Sequence, residues 1–112
     1  MTNYKSGDVV LVEVVFSEGI GSKKRPALVI SSNHYNRSRN EVVIAAITSN
    51  IKRELFGDTK IENWREAGLI YPSLVTAIVQ TIKANMIVKK LGYLSQEDFN
   101  KVKNNLRKSM SF

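Results

Sequence analysis

Two side chains suited to phosphate chemistry lie near the ends of predicted strands. Arg25 precedes Pro26, and a proline ring fixes its own φ while favouring an extended backbone for the residue before it. A guanidinium held in this way can bind a phosphate through two parallel hydrogen bonds. Thr48, near the end of another apolar run, supplies a hydroxyl group. The cation and the hydroxyl together predict a phosphate-binding site.

The overall charge favours a polyanionic partner. The chain of 112 residues has 17 Lys and Arg against 10 Asp and Glu, which gives a formal net charge of +7. Clustered cations bind phosphates well because neutralising the phosphates releases condensed counterions. The cations of this chain are clustered, at positions 23–25, 37 and 39, 52 and 53, and 89 and 90.

Length and composition indicate one globular domain over residues 1–112, since 43% of the residues are hydrophobic. No apolar run is long enough to cross a bilayer and no signal peptide is evident, so we expect a cytoplasmic location. The absence of cysteine excludes disulfides, thiol catalysis and cysteine-bound zinc. The single histidine, His34, cannot form a histidine-rich metal centre. We therefore predict neither a metal nor a cofactor.

Apolar and β-branched runs separated by turn signals predict a series of short strands. We predict strands at 9–16, 26–31, 41–47 and 73–82, with shorter ones at 53–60 and 88–91. Residues 23–25 are expected to form a flexible basic loop. Short helices are predicted at 63–67, ended by Gly68, and at 84–87, with one helical turn possible within 32–40. Five to seven strands with little chain between them predict a mainly β, α+β fold, in which an antiparallel sheet bends strongly or closes into a small barrel.

A helix is predicted at the C-terminal end of the sequence. Ser95 can cap its N-terminus, and Asp98 places negative charge near the positive end of the helix dipole. Apolar residues then recur at spacings of three to four, at Phe99, Val102, Leu106 and Met110. This apolar stripe should pack on the sheet and leave the basic residues in water.

Cleavage of RNA would require few catalytic groups from such a site, because the 2′-hydroxyl of the RNA can itself act as the nucleophile. The protein must align that hydroxyl with phosphorus, neutralise the phosphoryl oxygens and manage two protons. Arg25 could supply charge, and Thr48 could supply a hydrogen bond to a non-bridging oxygen. Glu18 could accept a proton or hold Arg25 in place, and Ser49 is a second candidate for catalytic support.

Several motifs resemble the MazF/PemK family of mRNA interferases, the toxins of bacterial toxin–antitoxin pairs. The opening strand and the stretch that contains Arg25 and Pro26 resemble the family's first signature, and the stretch that contains Thr48 resembles its second. The resemblance covers nearly the whole chain. Its motifs lie at residues 7–12, 21–31, 47–49, 63–69, 72 and 73, and 91–95.

This resemblance implies an SH3-like barrel that dimerises and cleaves single-stranded RNA at a short sequence. It implies products with a 2′,3′-cyclic phosphate and a 5′-hydroxyl, and a cognate antitoxin protein as partner. Arg25 and Thr48 stand where the family keeps its two principal catalytic side chains. We predict further RNA contacts from Lys23, Lys24, Asn50, Gln80 and Lys83.

A second class of function remains open. The same barrel could serve a non-cleaving interaction protein, either a gyrase poison of the CcdB type or an RNA binder. Arg25 and Thr48 together favour cleavage, because a protein that only binds RNA has no need of a hydroxyl beside the anchoring arginine.

Overall fold

The structure is a computed structural model that describes residues 3–15 and 21–112. Two 3₁₀ turns, Ile51–Arg53 and Ala84–Met86, accompany its longer elements. The strands are β1 (Asp8–Val15), β2 (Ser22–Val29), β3 (Glu41–Thr48), β4 (Thr59–Lys60), β5 (Leu74–Lys83) and β6 (Ile87–Tyr93), and the helices are α1 (Asn33–Arg39) and α2 (Gln96–Met110).

The six strands form one antiparallel sheet in the order β4-β5-β3-β2-β1-β6. This arrangement confirms the predicted mainly β, α+β fold with a C-terminal amphipathic helix. Register shifts interrupt the pairing of β1 with β6 and of β3 with β5, and such bulges bend a sheet. Within the described part of the chain β4 and β6 stay at opposite ends of the strand order, so the sheet bends without closing into a barrel.

The predicted basic loop is wrong, because Lys23, Lys24 and Arg25 lie within β2. Residues 22–25 pair with residues 12–15 of β1, which extends the strand four residues further than predicted. Pro26, expected to be the first residue of the strand, is its fifth. The proline is tolerated because β2 pairs with β3 only from Ala27 onward, so no hydrogen bond from residue 26 to β3 is required.

Four shorter elements also differ from prediction. The strand expected at 53–60 is reduced to Thr59–Lys60, because the Asp58 carboxylate accepts hydrogen bonds from the backbone N–H groups of Leu55 (2.9 Å) and Ala77 (3.2 Å) and holds a turn. Residues 62–68 form successive turns rather than a helix, and the helix expected at 84–87 is a 3₁₀ turn. The strand expected at 88–91 is longer, because β6 pairs with β1 from Ile87 to Tyr93.

The sheet is covered on both faces. One core cluster lies between the sheet, α2 and the chain around residues 61–69, and it includes Leu28, Ile47 and Val102. The other lies on the opposite face and includes Val12, Val29, Val42 and Ile82, among others. Because a bent sheet can pack against itself, its second face is buried without a helix.

Helix α2 begins as predicted and packs its apolar stripe on the first cluster. The Ser95 hydroxyl accepts a hydrogen bond from the backbone N–H of Asp98 (3.1 Å), and Phe99, Val102 and Leu106 pack in the core. The Asp98 side chain, predicted to act on the helix dipole, is fully buried. Neither helix of the described chain is long and apolar enough to span a membrane.

Gly68 ends the turns at 62–68 in a conformation that favours glycine. Its φ is +87°, and a Cβ placed there would lie 2.2 Å from the Leu91 carbonyl oxygen. Gly68→Ala should therefore lower the free energy of unfolding by about 2–4 kcal/mol, since strain and a backbone clash act together. Gly21 has a φ of +77°, and a Cβ added there would meet no atom of the described residues within 4 Å, so Gly21→Ala supplies the control for strain without the Leu91 clash. Equal denaturation midpoints for the two variants would contradict the predicted clash.

Candidate active site

The register between β2 and β3 brings Arg25 and Thr48 to corresponding positions. Ala27 pairs with Ala46, Leu28 with Ala45, and Val29 with Ile44. When this register is continued by two residues along both strands, Arg25 falls across from Thr48. Opposed residues of an antiparallel pair project their side chains to the same face.

The alternation of side chains along each strand identifies the face of the sheet on which Arg25 and Thr48 lie. Arg25 shares the face of Ala27 and Val29, two members of the second core cluster. Thr48 shares the face of Ile44, a member of the same cluster. Arg25 is exposed and Thr48 is half-buried, so both stand at the edge where this core opens to solvent.

The Thr48 hydroxyl is oriented by the turn that follows β3. Its Oγ1 accepts a hydrogen bond from the backbone N–H of Asn50 (3.1 Å), a local bond that threonine commonly makes in turns. With one lone pair engaged in this way, the hydroxyl proton is available to be donated outward. The site thus has a cation and a hydroxyl donor on the same face of the sheet.

The predicted site residues next to Arg25 and Thr48 project to different faces of the sheet. Lys23 is exposed and shares the face of Arg25, two residues away on β2. Lys24 and Ser49 project to the opposite face, where both line the same pocket. Asn50 is exposed; its backbone N–H donates to Thr48, and its carbonyl oxygen accepts a hydrogen bond from the backbone N–H of Arg53 (3.3 Å).

The two predicted residues on β5 lie at different distances from Thr48. Gln80 is exposed, pairs with Ile44, and shares the face of Arg25 and Thr48. The four residues that separate Ile44 from Thr48 span about 13 Å of strand. Lys83 pairs with Glu41 at the far end of β3, about 23 Å from Thr48 along the strand. The structure therefore does not bring Lys83 together with the other predicted residues.

The acidic residue predicted for this site, Glu18, lies outside the described residues. Glu13 is an acidic residue of β1 that the sequence pattern marks only as an interruption of an apolar run. It pairs with Lys24, and its carboxylate accepts a hydrogen bond from the Ser22 hydroxyl (2.8 Å). Within the described ranges, no three His, Asp or Glu side chains are grouped so that they could hold a metal ion.

The pocket that Lys24 and Ser49 line has a volume of about 340 Å³. It lies on the face opposite Arg25 and Thr48. Tyr71 stands at this pocket with 61% of its surface exposed. From sequence, Tyr35, Tyr71 and Tyr93 could each either stack on a base or cover the edge of the core, and the exposure of Tyr71 argues against the second role for this residue. The remaining lining residues are Leu11, Pro26, Gly68, Leu69, Ile70, Ser73 and Leu91.

Solved structures with the same fold are numerous, and several span the whole chain. A MazE–MazF complex from Deinococcus radiodurans matches with a TM-score of 0.84 and 16% identity, over 100% of this chain and 99% of that chain. An endoribonuclease from a mycobacterial species matches with a TM-score of 0.79 and 17% identity, over 100% and 95%. The Mycobacterium tuberculosis toxin MazF-mt6 matches with a TM-score of 0.73 and 20% identity, over 92% and 97%. At these identities the matches establish the fold.

Family membership rests on the sequence itself. No curated protein matches the chain. The family model described as the PemK-like, MazF-like toxin of type II toxin–antitoxin systems matches residues 5–110, a span that contains every described residue of the candidate site. The chain therefore belongs to the PemK-like, MazF-like toxin family.

Proposed function

We propose that this protein is a metal-independent endoribonuclease that cleaves single-stranded RNA at specific sequences. The observation that supports the proposal is that Arg25 and Thr48 each lie two residues beyond the last paired residues of β2 and β3, Ala27 and Ala46, on the same face of the sheet. The net charge of +7 supports a polyanionic substrate. One similar structure is described as an endoribonuclease, which agrees with this chemistry.

In the proposed reaction the ribose 2′-oxygen attacks the adjacent phosphorus. The new P–O2′ bond forms as the P–O5′ bond breaks, so the products end in a 2′,3′-cyclic phosphate and a 5′-hydroxyl. The proton of the 2′-hydroxyl goes to a base, for which Glu18 is the candidate, and the leaving 5′-oxygen takes a proton from water, a step that the positive charge of Arg25 assists. Arg25 neutralises the charge that develops on the phosphoryl oxygens, and Thr48 donates a hydrogen bond to one of them. Ser49, the second residue predicted for catalytic support, lines the pocket on the opposite face, so we assign it no contact with the reacting phosphate.

The biological role that follows is that of a toxin held inactive by a cognate antitoxin protein. Two similar structures are complexes of this kind, one described as an endoribonuclease with its cognate antitoxin and one as a MazE–MazF complex. A homodimer would join two basic faces into one groove for RNA. Among the proposed RNA contacts, Lys23, Lys24 and Asn50 lie within two residues of Arg25 or Thr48 and are nearest the cut. Gln80 shares the face of Arg25 but lies about 13 Å along the strand from Thr48, and Lys83 would contact a more distant part of the RNA.

The direct test is a digestion of a long unstructured RNA by the purified protein in the presence of a chelator. We expect cuts at discrete sites and fragments whose 5′ ends accept phosphate from a kinase without prior phosphatase treatment. Fragments with 5′-phosphates, or cleavage that needs an added metal ion, would contradict the mechanism. Binding of RNA without any cleavage would identify the chain as a non-cleaving binder instead.

Thr48→Val tests the hydroxyl while nearly preserving the shape of the side chain. We expect kcat/KM to fall at least tenfold, about 1.4 kcal/mol in the barrier, because a hydrogen bond to the transition state is lost. Thr48→Ser retains the hydroxyl and should keep most of the activity. Because Thr48 also accepts the Asn50 N–H, the melting temperature of each variant separates loss of chemistry from loss of the turn. Wild-type activity in Thr48→Val would remove Thr48 from the mechanism.

A further inference from the structure

We propose that the pocket beside Lys24 and Ser49 holds one unpaired base of the RNA, next to the phosphate that is cleaved, and that Tyr71 stacks on this base. The inference rests on the proposed function, because it takes RNA to be the ligand. It adds a binding site on the face of the sheet opposite Arg25 and Thr48, and it names a residue that determines which base is accepted there.

The position of the pocket is the first argument. Lys24 and Ser49 line it, and they are the chain neighbours of Arg25 and Thr48. Neighbouring Cα atoms are about 3.8 Å apart, so the two sites lie back to back across the same pair of strands. The β2–β3 ladder begins at Ala27, so before this residue the two strands are not paired with each other, although β2 still pairs with β1 and β3 with β5. A sugar–phosphate chain can cross between the faces at this point and place a phosphate on one side and its neighbouring base on the other.

The size and lining of the pocket are the second argument. Its volume of about 340 Å³ lies at the lower end of the range of about 300–1,000 Å³ that is typical of small-ligand pockets. Apolar side chains supply most of its walls, at Leu11, Pro26, Leu69, Ile70 and Leu91. A flat, largely apolar base fits such walls, whereas a phosphate would not.

The exposed side chains at the pocket are the third argument. Tyr71 is 61% exposed and Ile70 is 78% exposed, which leaves an aromatic ring and an aliphatic chain in water without a described partner surface. Proteins that bind single-stranded nucleic acid stack unpaired bases on aromatic side chains placed in this way. A base inserted here would remove both side chains from water.

Polar groups in the pocket can distinguish one base from another. The buried Ser73 hydroxyl donates its proton to the Tyr71 carbonyl oxygen (2.8 Å), so its oxygen remains as an acceptor. Lys24 and Ser49 add donors on the opposite side. Acceptors and donors at fixed positions favour one pattern of base-edge groups over another, which gives the pocket a base preference.

The test compares two tyrosines of nearly equal exposure, Tyr71 at 61% and Tyr93 at 63%. Tyr93 lies on β6, outside the pocket, and serves as the matched control. Binding is measured by fluorescence anisotropy with an RNA oligonucleotide that spans a mapped cut and carries 2′-deoxyribose at the cut nucleotide. If the wild type cuts no RNA, an unstructured RNA oligonucleotide of the same length without the modification is used.

We expect Tyr71→Ala to weaken binding about tenfold or more, since stacking on one base contributes roughly 1–3 kcal/mol. Tyr93→Ala should change binding less than twofold. Removing single bases along the oligonucleotide should reveal one position, next to the cut, where the loss weakens the wild type and leaves Tyr71→Ala unchanged. Equal effects of the two tyrosine variants, or the same base-removal profile in wild type and Tyr71→Ala, would contradict the proposal that this pocket binds a base. Failure of the wild type to cut RNA would instead overturn the proposed function. The binding comparison would still show whether Tyr71 and the pocket bind a base.

Discussion

Arg25→Ala should reduce RNA cleavage by at least about a hundredfold, because removing one preorganised donor at a developing oxyanion typically costs about 10²–10³ in rate. The fold should persist, since Arg25 is exposed and its truncation leaves no cavity. Cleavage rates of a short RNA under single-turnover conditions, with a melting curve for each protein, measure both expectations. The loss should appear in the rate at saturating enzyme and not only in the affinity for RNA.

One further variant shows whether Arg25 acts through two parallel hydrogen bonds or only through its positive charge, and a second, at another arginine, is the control. Arg25→Lys keeps the positive charge but cannot make two parallel hydrogen bonds to a phosphate, so its rate should fall between those of the wild type and Arg25→Ala. Arg107→Ala removes the same side chain from the exposed surface of α2 and should cleave at nearly the wild-type rate. A variant Arg25→Ala that cleaved as fast as Arg107→Ala would show that the assigned role is wrong.

Asp98→Asn should produce a large loss of stability for so conservative a substitution. The Asp98 carboxylate is fully buried and accepts hydrogen bonds from the backbone N–H groups of Glu62 (3.1 Å) and Asn63 (2.9 Å). Asparagine would turn an N–H donor toward one of these donors. Because hydrogen bonds to a charged group contribute about 1.5–3 kcal/mol and an unpaired buried donor adds a further penalty, we expect a loss of about 2–4 kcal/mol in the free energy of unfolding.

The control for this substitution is the neighbouring residue. Glu97→Gln makes the same chemical change on a side chain that is 73% exposed and 3.8 Å from Lys101. Such surface pairs contribute little, so its free energy of unfolding should change by less than about 1 kcal/mol. Denaturant midpoints measured at one pH compare the two directly. Equal midpoints would mean that Asp98 does not anchor residues 62 and 63 to the start of α2.

Much of the fold could be predicted because most strands are apolar and most helical caps are local. β1, β3 and β5 are β-branched runs, and their predicted limits differ from the observed ones by no more than one residue at each end. The start of α2 could be read from Ser95 and the apolar spacing that follows it. Gly68 could be predicted as the end of an element because its left-handed conformation favours glycine, although the element that it ends is a run of turns and not the predicted helix.

The first half of β2 could not be predicted from hydrophobic pattern. Residues 22–25 are exposed on both faces, so neither alternation nor an apolar run marks them as a strand. Their conformation is fixed by pairing with β1, which is a tertiary contact. For the same reason the sequence could not predict that Lys24 and Arg25 face opposite sides of the sheet.

The candidate site likewise contains some residues that could be predicted from the sequence and others whose position could not. Arg25 and Thr48 could be selected because each has distinctive chemistry beside a predicted strand. Gln80 and Lys83 lie three residues apart on one strand, and only the register of β5 with β3 shows that Gln80 shares the face of Thr48 and Lys83 lies at the far end. The pocket beside Tyr71 joins residues from several separate parts of the chain, and no local pattern could have predicted it.

The most direct test of the mechanism uses an RNA with two mapped cut sites, in which the nucleotide on the 5′ side of one cut carries 2′-deoxyribose. If the substrate supplies the nucleophile, cleavage at the modified site should stop while the unmodified site in the same molecule is cut at its usual rate. Sequencing-gel analysis of both products gives the two rates in one reaction. Cleavage at both sites with equal rates would show that the 2′-hydroxyl does not attack the phosphate.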